Sequence, residues 1–469
     1  MVAAASLERQ GAYNQHYDDP NGLLLTASGL PSRDGIAHDL DQLDSYRLFL
    51  RYEDGGFSLT GRYGQRVVQP SSALYNTVFD DPDSQITDNN WSLLARYERQ
   101  LSGTVNLETR LELTQSRYLA TLPYLDSNNS RYLNRDQSLG RWWAADIRLL
   151  HTGWSTHKLI GGIDGQIDDQ ARQQNFDIDL AVPVNPDVDN NTPEQRIGVY
   201  LQDEWLLAEH WRLNAGLRHD HYRNTDAVTS PRLGLIWLAG SEQTVKLLAG
   251  KAYRPANAYE REYSNGINYL GNTGLAPETI GTLEAVLEQQ LGRNQQLSLS
   301  AYHYRLNNLI VQQMLANGSL QYQNQPQIRA HGLEAVWRWR RDNGLIINAS
   351  VATGVAEDQQ GQRLSYSPRW IGKLQIGAPL SGSGWQLAAE TSYLSATPYH
   401  WQGADYQEAA PWQLNLSLSR TTVSPGLDGY LRIINLFNCD CRQPASEEIP
   451  IPALPGKPRT LEAGLRYAF

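Results

Sequence analysis

Along most of this chain, apolar and polar residues alternate one by one. Val105 to Thr114 sets Val105, Leu107, Thr109, Leu111 and Leu113 against Asn106, Glu108, Arg110 and Glu112. Trp211 to Asp220 opposes Trp211, Leu213, Ala215 and Leu217 to Arg212, Asn214, Gly216, Arg218 and Asp220. Trp412 to Ser419 repeats the pattern, with Trp412, Leu414, Leu416 and Leu418 on one side. A period of two predicts strands with one greasy face and one wet face. The connections alternate as well. Tight links fall at Glu53–Gly56, Leu101–Thr104, Thr152–Thr156, Leu206–Trp211, Ala239–Gln243, Leu291–Asn294, Arg341–Gly344 and Leu380–Gly384. Long polar stretches at 67–89, 119–137, 169–194, 255–276, 312–327, 398–410 and 438–457 lie between them. Short turns on one rim and long loops on the other predict a transmembrane barrel of about 21 strands.

Composition sharpens this picture. The 469 residues include 25 Tyr and 13 Trp but only 6 Phe and 2 Met, a bias toward aromatics that keep a polar handle. Such rings suit a boundary between grease and water better than a dry core. No apolar run reaches the ~18 residues of a spanning helix, so a membrane reading requires a closed barrel that satisfies its own backbone. The net charge of −10 argues against nucleic acid as a partner. The only cysteines, Cys439 and Cys441, read as an unbridged loop pair, and no metal site or cofactor is expected. MVAAASLERQG lacks the basic start and apolar run of a secretory leader.

Strand parity yields a further expectation. If the last strand ends on the turn rim, tracing back makes Asp19–Gly22 a turn on that rim. The first segment, Ala3–His16, then runs downward, one upward strand is missing before Met1, and the two edge strands meet in parallel.

The chain closes on Leu461, Ala463, Leu465, Tyr467 and Phe469, alternating with Glu462, Gly464, Arg466 and Ala468. Glu462, Gly464, Tyr467 and Phe469 resemble the C-terminal assembly signal of bacterial outer-membrane barrels, which implies the barrel-assembly machinery and outer-membrane lipid as partners. Ordinary strand packing explains the same residues.

Several blocks carry a wider resemblance. They are Ile197-Gly-Val-Tyr-Leu-Gln-Asp-Glu-Trp205, Leu213-Asn-Ala-Gly-Leu-Arg-His-Asp220, Ser230-Pro-Arg-Leu-Gly-Leu235 and Ala252-Tyr-Arg-Pro255. Gly271-Asn-Thr-Gly-Leu-Ala-Pro-Glu278, His331-Gly-Leu-Glu334, Ile434-Asn-Leu-Phe-Asn438 and Pro455-Gly-Lys-Pro458 follow. In this order they resemble the barrel of TonB-dependent outer-membrane receptors. The resemblance implies an all-β fold of the 22-strand type over residues 1–469, N-terminally incomplete, with the plug domain and signal peptide absent. It also implies energy-coupled uptake of a scarce metal chelate, such as an iron–siderophore complex, through a TonB-type complex that acts on the plug.

Within that frame, ligand contacts are expected on two loops. Arg254, Tyr259, Tyr263 and Tyr269 lie on or beside the 255–276 loop, and Tyr399, His400, Trp401 and Tyr406 crowd the 398–410 loop. Aromatic rings can stack on planar ligands and Arg254 can pair with an anion. An interfacial girdle of aromatics explains the same residues. Inward carboxylates such as Glu108, Glu112, Glu284 and Glu288 read as a solvated lumen or a plug contact. Asp177, Asp179, Asp187 and Asp189 lack the spacing of a helix-loop-helix calcium site. No G-x-S-x-G, H-E-x-x-H or phosphate loop occurs, so no enzyme is expected. The alternatives are a passive porin-like channel and, behind it, an outer-membrane hydrolase.

Overall fold

The alternating segments form one large antiparallel sheet. The computed structural model describes every residue except 181–182, 185–186, 267, 381, 410–411, 425 and 468–469, and the side chains of 421–424 are likewise outside it. Among the described residues, 21 strands join in a single sheet. From Val2–Gln10 to Thr460–Tyr467, each wall strand pairs antiparallel with the next one along the chain. The short strand Val188–Asn191 shares a wall position with Gln195–Ala208, because both pair with His157–Asp177. The remaining 20 of the 21 take separate positions. No described helix is long and apolar enough to cross a membrane.

The outer face is apolar and open. Ile147, Ile163 and Val199 sit side by side on three adjacent strands and are 50%, 43% and 49% exposed. Leu201, Leu217, Leu283 and Leu333 are each more than half exposed. A continuous belt of this kind suits lipid rather than water. Trp205, Trp211, Trp237, Trp337, Trp339 and Trp385 lie next to tight turns, with Trp211 and Trp237 stacked at 5.5 Å. Indoles at that level form the expected aromatic girdle.

The opposite face is charged, and its charges neutralise one another. Glu108 accepts from Arg110 at 2.7 Å, faces Arg96 at 2.9 Å and is also bonded by Arg148. Asp164 and Asp220 bracket Arg196 and Arg218, with Arg218–Asp164 at 2.7 Å and Arg196–Asp220 at 3.0 Å. Glu288 accepts from Lys246, Glu284 from the Tyr304 hydroxyl and Glu112 from Thr114.

The larger dry core is in the loops, and a smaller one of Ile86, Ala120 and Leu122 sits at the upper end of two wall strands. Tyr17, Leu24, Ala37 and Leu40 from the first long loop pack with Ala73 and Phe79 from the second and with Ala445, Ile449 and Ile451 from the last. Arg442 joins Asp18 at 2.9 Å, a link between opposite ends of the sequence. The loops after the first strand and before the last therefore meet over the same rim.

Two expectations are corrected here. The first strand stops at Gln10, and Tyr13–His16 instead pairs with Ile36–Leu40 in a separate two-stranded sheet. Asp19–Gly22 is a genuine turn, since the Asp19 carboxylate accepts from the Leu23 and Leu24 amides at 2.8 Å, but it lies within the long first loop. Turn chemistry does not say which rim a turn belongs to. The first strand thus runs toward the long loops and the last away from them, so the edges are antiparallel. Among the described residues no register pairs them.

The second correction concerns the cysteines. Cys439 and Cys441 form a disulfide, their Cα atoms 5.4 Å apart, within the range that bridging needs. Asn435 folds this segment back: its side chain accepts from the Cys439 amide at 2.9 Å and donates to the Cys439 carbonyl at 3.0 Å.

Candidate functional site

Three neighbouring strands are much longer than a bilayer requires. Val105–Leu125, Arg131–His151 and His157–Asp177 each have 21 residues, against the ~9–11 that cross a membrane. Their upper halves stand above the lipid as a wall, and several long loops lean against it. Between wall and loops lies a cavity of about 710 Å³, within the usual range for small-molecule sites.

Tyrosine lines this cavity from both sides. The wall contributes Tyr118, Tyr124 and Tyr132, the last two stacked at 5.9 Å. The loops contribute Tyr75, Tyr259, Tyr263 and Tyr269. A short helix, Ala258–Glu262, sets two of these rings. Asn257 accepts from the Glu260 amide at 2.9 Å and the Glu260 carboxylate accepts from the Asn257 amide at 2.8 Å, a reciprocal cap. Tyr259 and the adjoining Tyr263 are four residues apart, so they fall on one face with ring centres 4.7 Å apart. Tyr269 meets Tyr263 edge-on at 6.1 Å. Burial pushes Tyr75 up to about 12 and lifts Tyr259, Tyr263 and Tyr269 above the usual phenol range. The loop rings therefore present neutral hydroxyls at physiological pH.

Polar groups fill the gaps between the rings. Asn134, Gln137, Gln173 and Asn175 line the wall side, with Asn134 and Asn175 bonded to each other at 2.9 Å. The carboxylates are Asp126, Asp136 and Glu447. Nearby Glu448 accepts from Gln312 at 3.2 Å, and burial raises its carboxyl above the usual range. Its backbone carbonyl takes the Tyr75 amide at 2.8 Å, which ties the last loop to the second.

The expected contact residues separate into two groups. Tyr259, Tyr263 and Tyr269 line the cavity. Arg254 does not, and its guanidinium is held by Glu278 at 2.7 Å and Glu260 at 2.9 Å. Tyr399, His400, Trp401 and Tyr406 lie in the hairpin of Thr397–Trp401 and Ala404–Glu408. There Tyr399 stacks between Tyr366 and Tyr406, Trp401 donates to the Ile449 carbonyl at 3.2 Å, and His400 pairs with Asp405 at 2.9 Å. Those rings hold the loops together, and only Gln402 from this hairpin reaches the cavity. Tyr75, Tyr118, Tyr124, Tyr132 and Asp136 were missed by sequence reasoning. Strands running far past the bilayer are the signal that points to the wall residues.

At the terminal strand, Gly464 lies opposite Tyr430, and a Cβ there would come within 2.3 Å of the Tyr430 ring. Glu462 is 3.8 Å from Arg432 and 3.7 Å from Lys457, and Tyr467 stands exposed at the rim. Phe469 lies outside the described residues. Among those described, no group of three or more His, Cys, Asp or Glu is placed to hold a metal ion. Asp189 is taken by Arg172, and Asp179 accepts from the Leu133 amide.

Known proteins agree with this architecture. The family model for TonB dependent receptor-like β-barrels matches residues 30–436. A segment of 109 residues is 35% identical to the iron-regulated outer membrane virulence protein of Vibrio cholerae, covering 22% of this chain and 17% of that protein. Among solved structures, the ferric yersiniabactin uptake receptor FyuA of Yersinia pestis superposes with a TM-score of 0.75 at 12% identity, over 100% of this chain and 76% of that one. The pyoverdine receptor FpvA of Pseudomonas aeruginosa gives 0.72 at 13% identity, over 92% and 72%. The chain belongs to the TonB-dependent receptor β-barrel family.

Proposed function

We propose that this barrel lies in the bacterial outer membrane and forms the wall of a receptor for energy-coupled uptake of a chelated metal. The observation that carries the reading is the tyrosine-lined cavity at the loop rim, the rim that faces outward in such barrels. The similar proteins support it: FpvA is named for pyoverdine, FyuA for ferric yersiniabactin, and the Vibrio relative for iron regulation. Coupling would act through a plug domain seated in the lumen and a TonB-type complex beneath it. Insertion would depend on the barrel-assembly machinery reading Glu462, Gly464, Tyr467 and Phe469. Members of this family transport rather than catalyse.

Accumulation of radiolabelled ferric chelates by cells making the intact receptor tests the reading. Uptake should collapse when the proton gradient is dissipated, and Tyr259→Ala with Tyr263→Ala should lower it about tenfold, as losing one or two stacking contacts implies. A passive porin would instead keep a concentration-driven flux after the gradient is lost.

A further inference from the structure

The charge lining the cavity restricts what it can hold. No Lys, Arg or His stands among its lining residues, and Arg135, the neighbour of Asp136, is not among them either. The charged lining groups are Asp126, Asp136 and Glu447, and none of them is in a salt bridge among the described residues. Asp126 instead accepts from the Asn128 and Ser130 amides at 2.8 Å, and Glu447 from the Gln402 amide.

Several cations on the surrounding strands and loops are already committed. Arg254 is held by Glu260 and Glu278, Arg131 by Asp81 at 2.6 Å, and Arg172 by Asp189 at 2.7 Å. Arg261 lies between Glu194 and Glu262 at 3.8 and 3.7 Å. Freeing any of them for an incoming anion would leave a carboxylate behind without its partner. The result is a site lined by neutral phenols and carboxylates, with no cation among its lining residues.

We infer that the cavity selects metal chelates that are neutral or cationic and rejects polyanionic ones. Among ferric complexes the fitting class is the neutral trihydroxamate, or the same core bearing a free amine. A tris-catecholate, which is trianionic, would have to bring its charge among unpaired carboxylates in a partly desolvated space, where like charges repel far more strongly than in water. The tyrosines serve the favoured class directly. Their rings would bear on the apolar arms of the ligand, their hydroxyls bond to its amide and hydroxamate oxygens, and their faces attract an ammonium group.

This inference rests on the uptake-receptor reading, and one experiment separates the two. The purified full-length receptor is titrated with three ferric complexes, a trihydroxamate, its amine-bearing analogue and a tris-catecholate, and quenching of tyrosine and tryptophan emission is followed. The amine-bearing and neutral complexes should bind at least about a hundredfold more tightly than the trianion. Asp136→Asn and Glu447→Gln, made separately so that one misfolded variant does not decide the matter, should each narrow that gap about three- to tenfold. Salt should weaken the amine-bearing complex and spare the neutral one. A trianion that binds as tightly as the neutral complex overturns the charge inference and leaves the receptor reading standing. Failure of all three complexes to bind overturns the receptor reading itself.

Discussion

Gly464 shows how one missing side chain can be read in two ways. It sits opposite Tyr430 in the last ladder, where the aromatic ring occupies the space that a Cβ would fill. Gly464→Ala should therefore destabilise the barrel by about 1–3 kcal/mol through overpacking, seen as less heat-modifiable protein in outer-membrane fractions. If the glycine is there for the ring, adding Tyr430→Ala should restore assembly; if it is read by the insertion machinery, the double variant should stay defective. A second residue-scale test concerns Asp220, which is completely buried between Arg196 and Arg218. Arg218→Ala strips away one partner and should cost about 3–5 kcal/mol, measurable as a lower thermal transition in detergent. The aromatic residues mark the limit of reading a sequence at this scale. Tyr259 and Tyr399 look alike in a polar loop, yet one faces a void and the other is stacked between its own neighbours. Aromatic density cannot tell these apart, because the difference lies in what the fold places beside each ring.

Strands and loops differ in how openly the sequence declares them. The strand pattern was legible because its period is local and its two faces meet different solvents. The loops were not, because their packing joins distant segments: Phe79 with Ile451, Asp18 with Arg442. The three 21-residue strands were only partly visible, since 119–137 read as a loop where the structure continues the wall to Leu125 and resumes it at Arg131. The last loop should respond to pH through Glu448. Its carboxyl is raised in the folded loop from the ordinary 4.5 by burial, so the protonated form is the one the closed loop favours. The stabilisation is full below that ordinary value and is lost as pH rises through the raised one. Hydrogen exchange of residues 435–459 should accordingly quicken across that interval. Glu448→Gln should keep the protection factor high across that interval after correction for base-catalysed exchange, and an unchanged profile in the variant would place the titration elsewhere.

At the scale of the whole molecule, the lumen follows from strand number. A ring of 20 wall strands is too wide for its own side chains to fill, since ~16–18 already enclose a water channel. In planar bilayers this chain by itself should form a large, steady pore, and small ligand-gated currents would contradict that. Because the wall charges around Glu108 and around Asp164 and Asp220 are already paired, the pore should discriminate weakly between small cations and anions.

The loop core also has a temporal meaning. Tyr17 and Leu24 are made more than four hundred residues before their partners Ile449 and Ile451. During synthesis the early part of this clasp can pack only on Ala73 and Phe79, and it stays incomplete until the last loop follows. Docking of Ile449 and Ile451, with Arg442 beside Asp18, completes the packing around Tyr17 and Leu24. In refolding of the purified protein into detergent, protease cutting between residues 17 and 24 should therefore cease only once the last loop has docked.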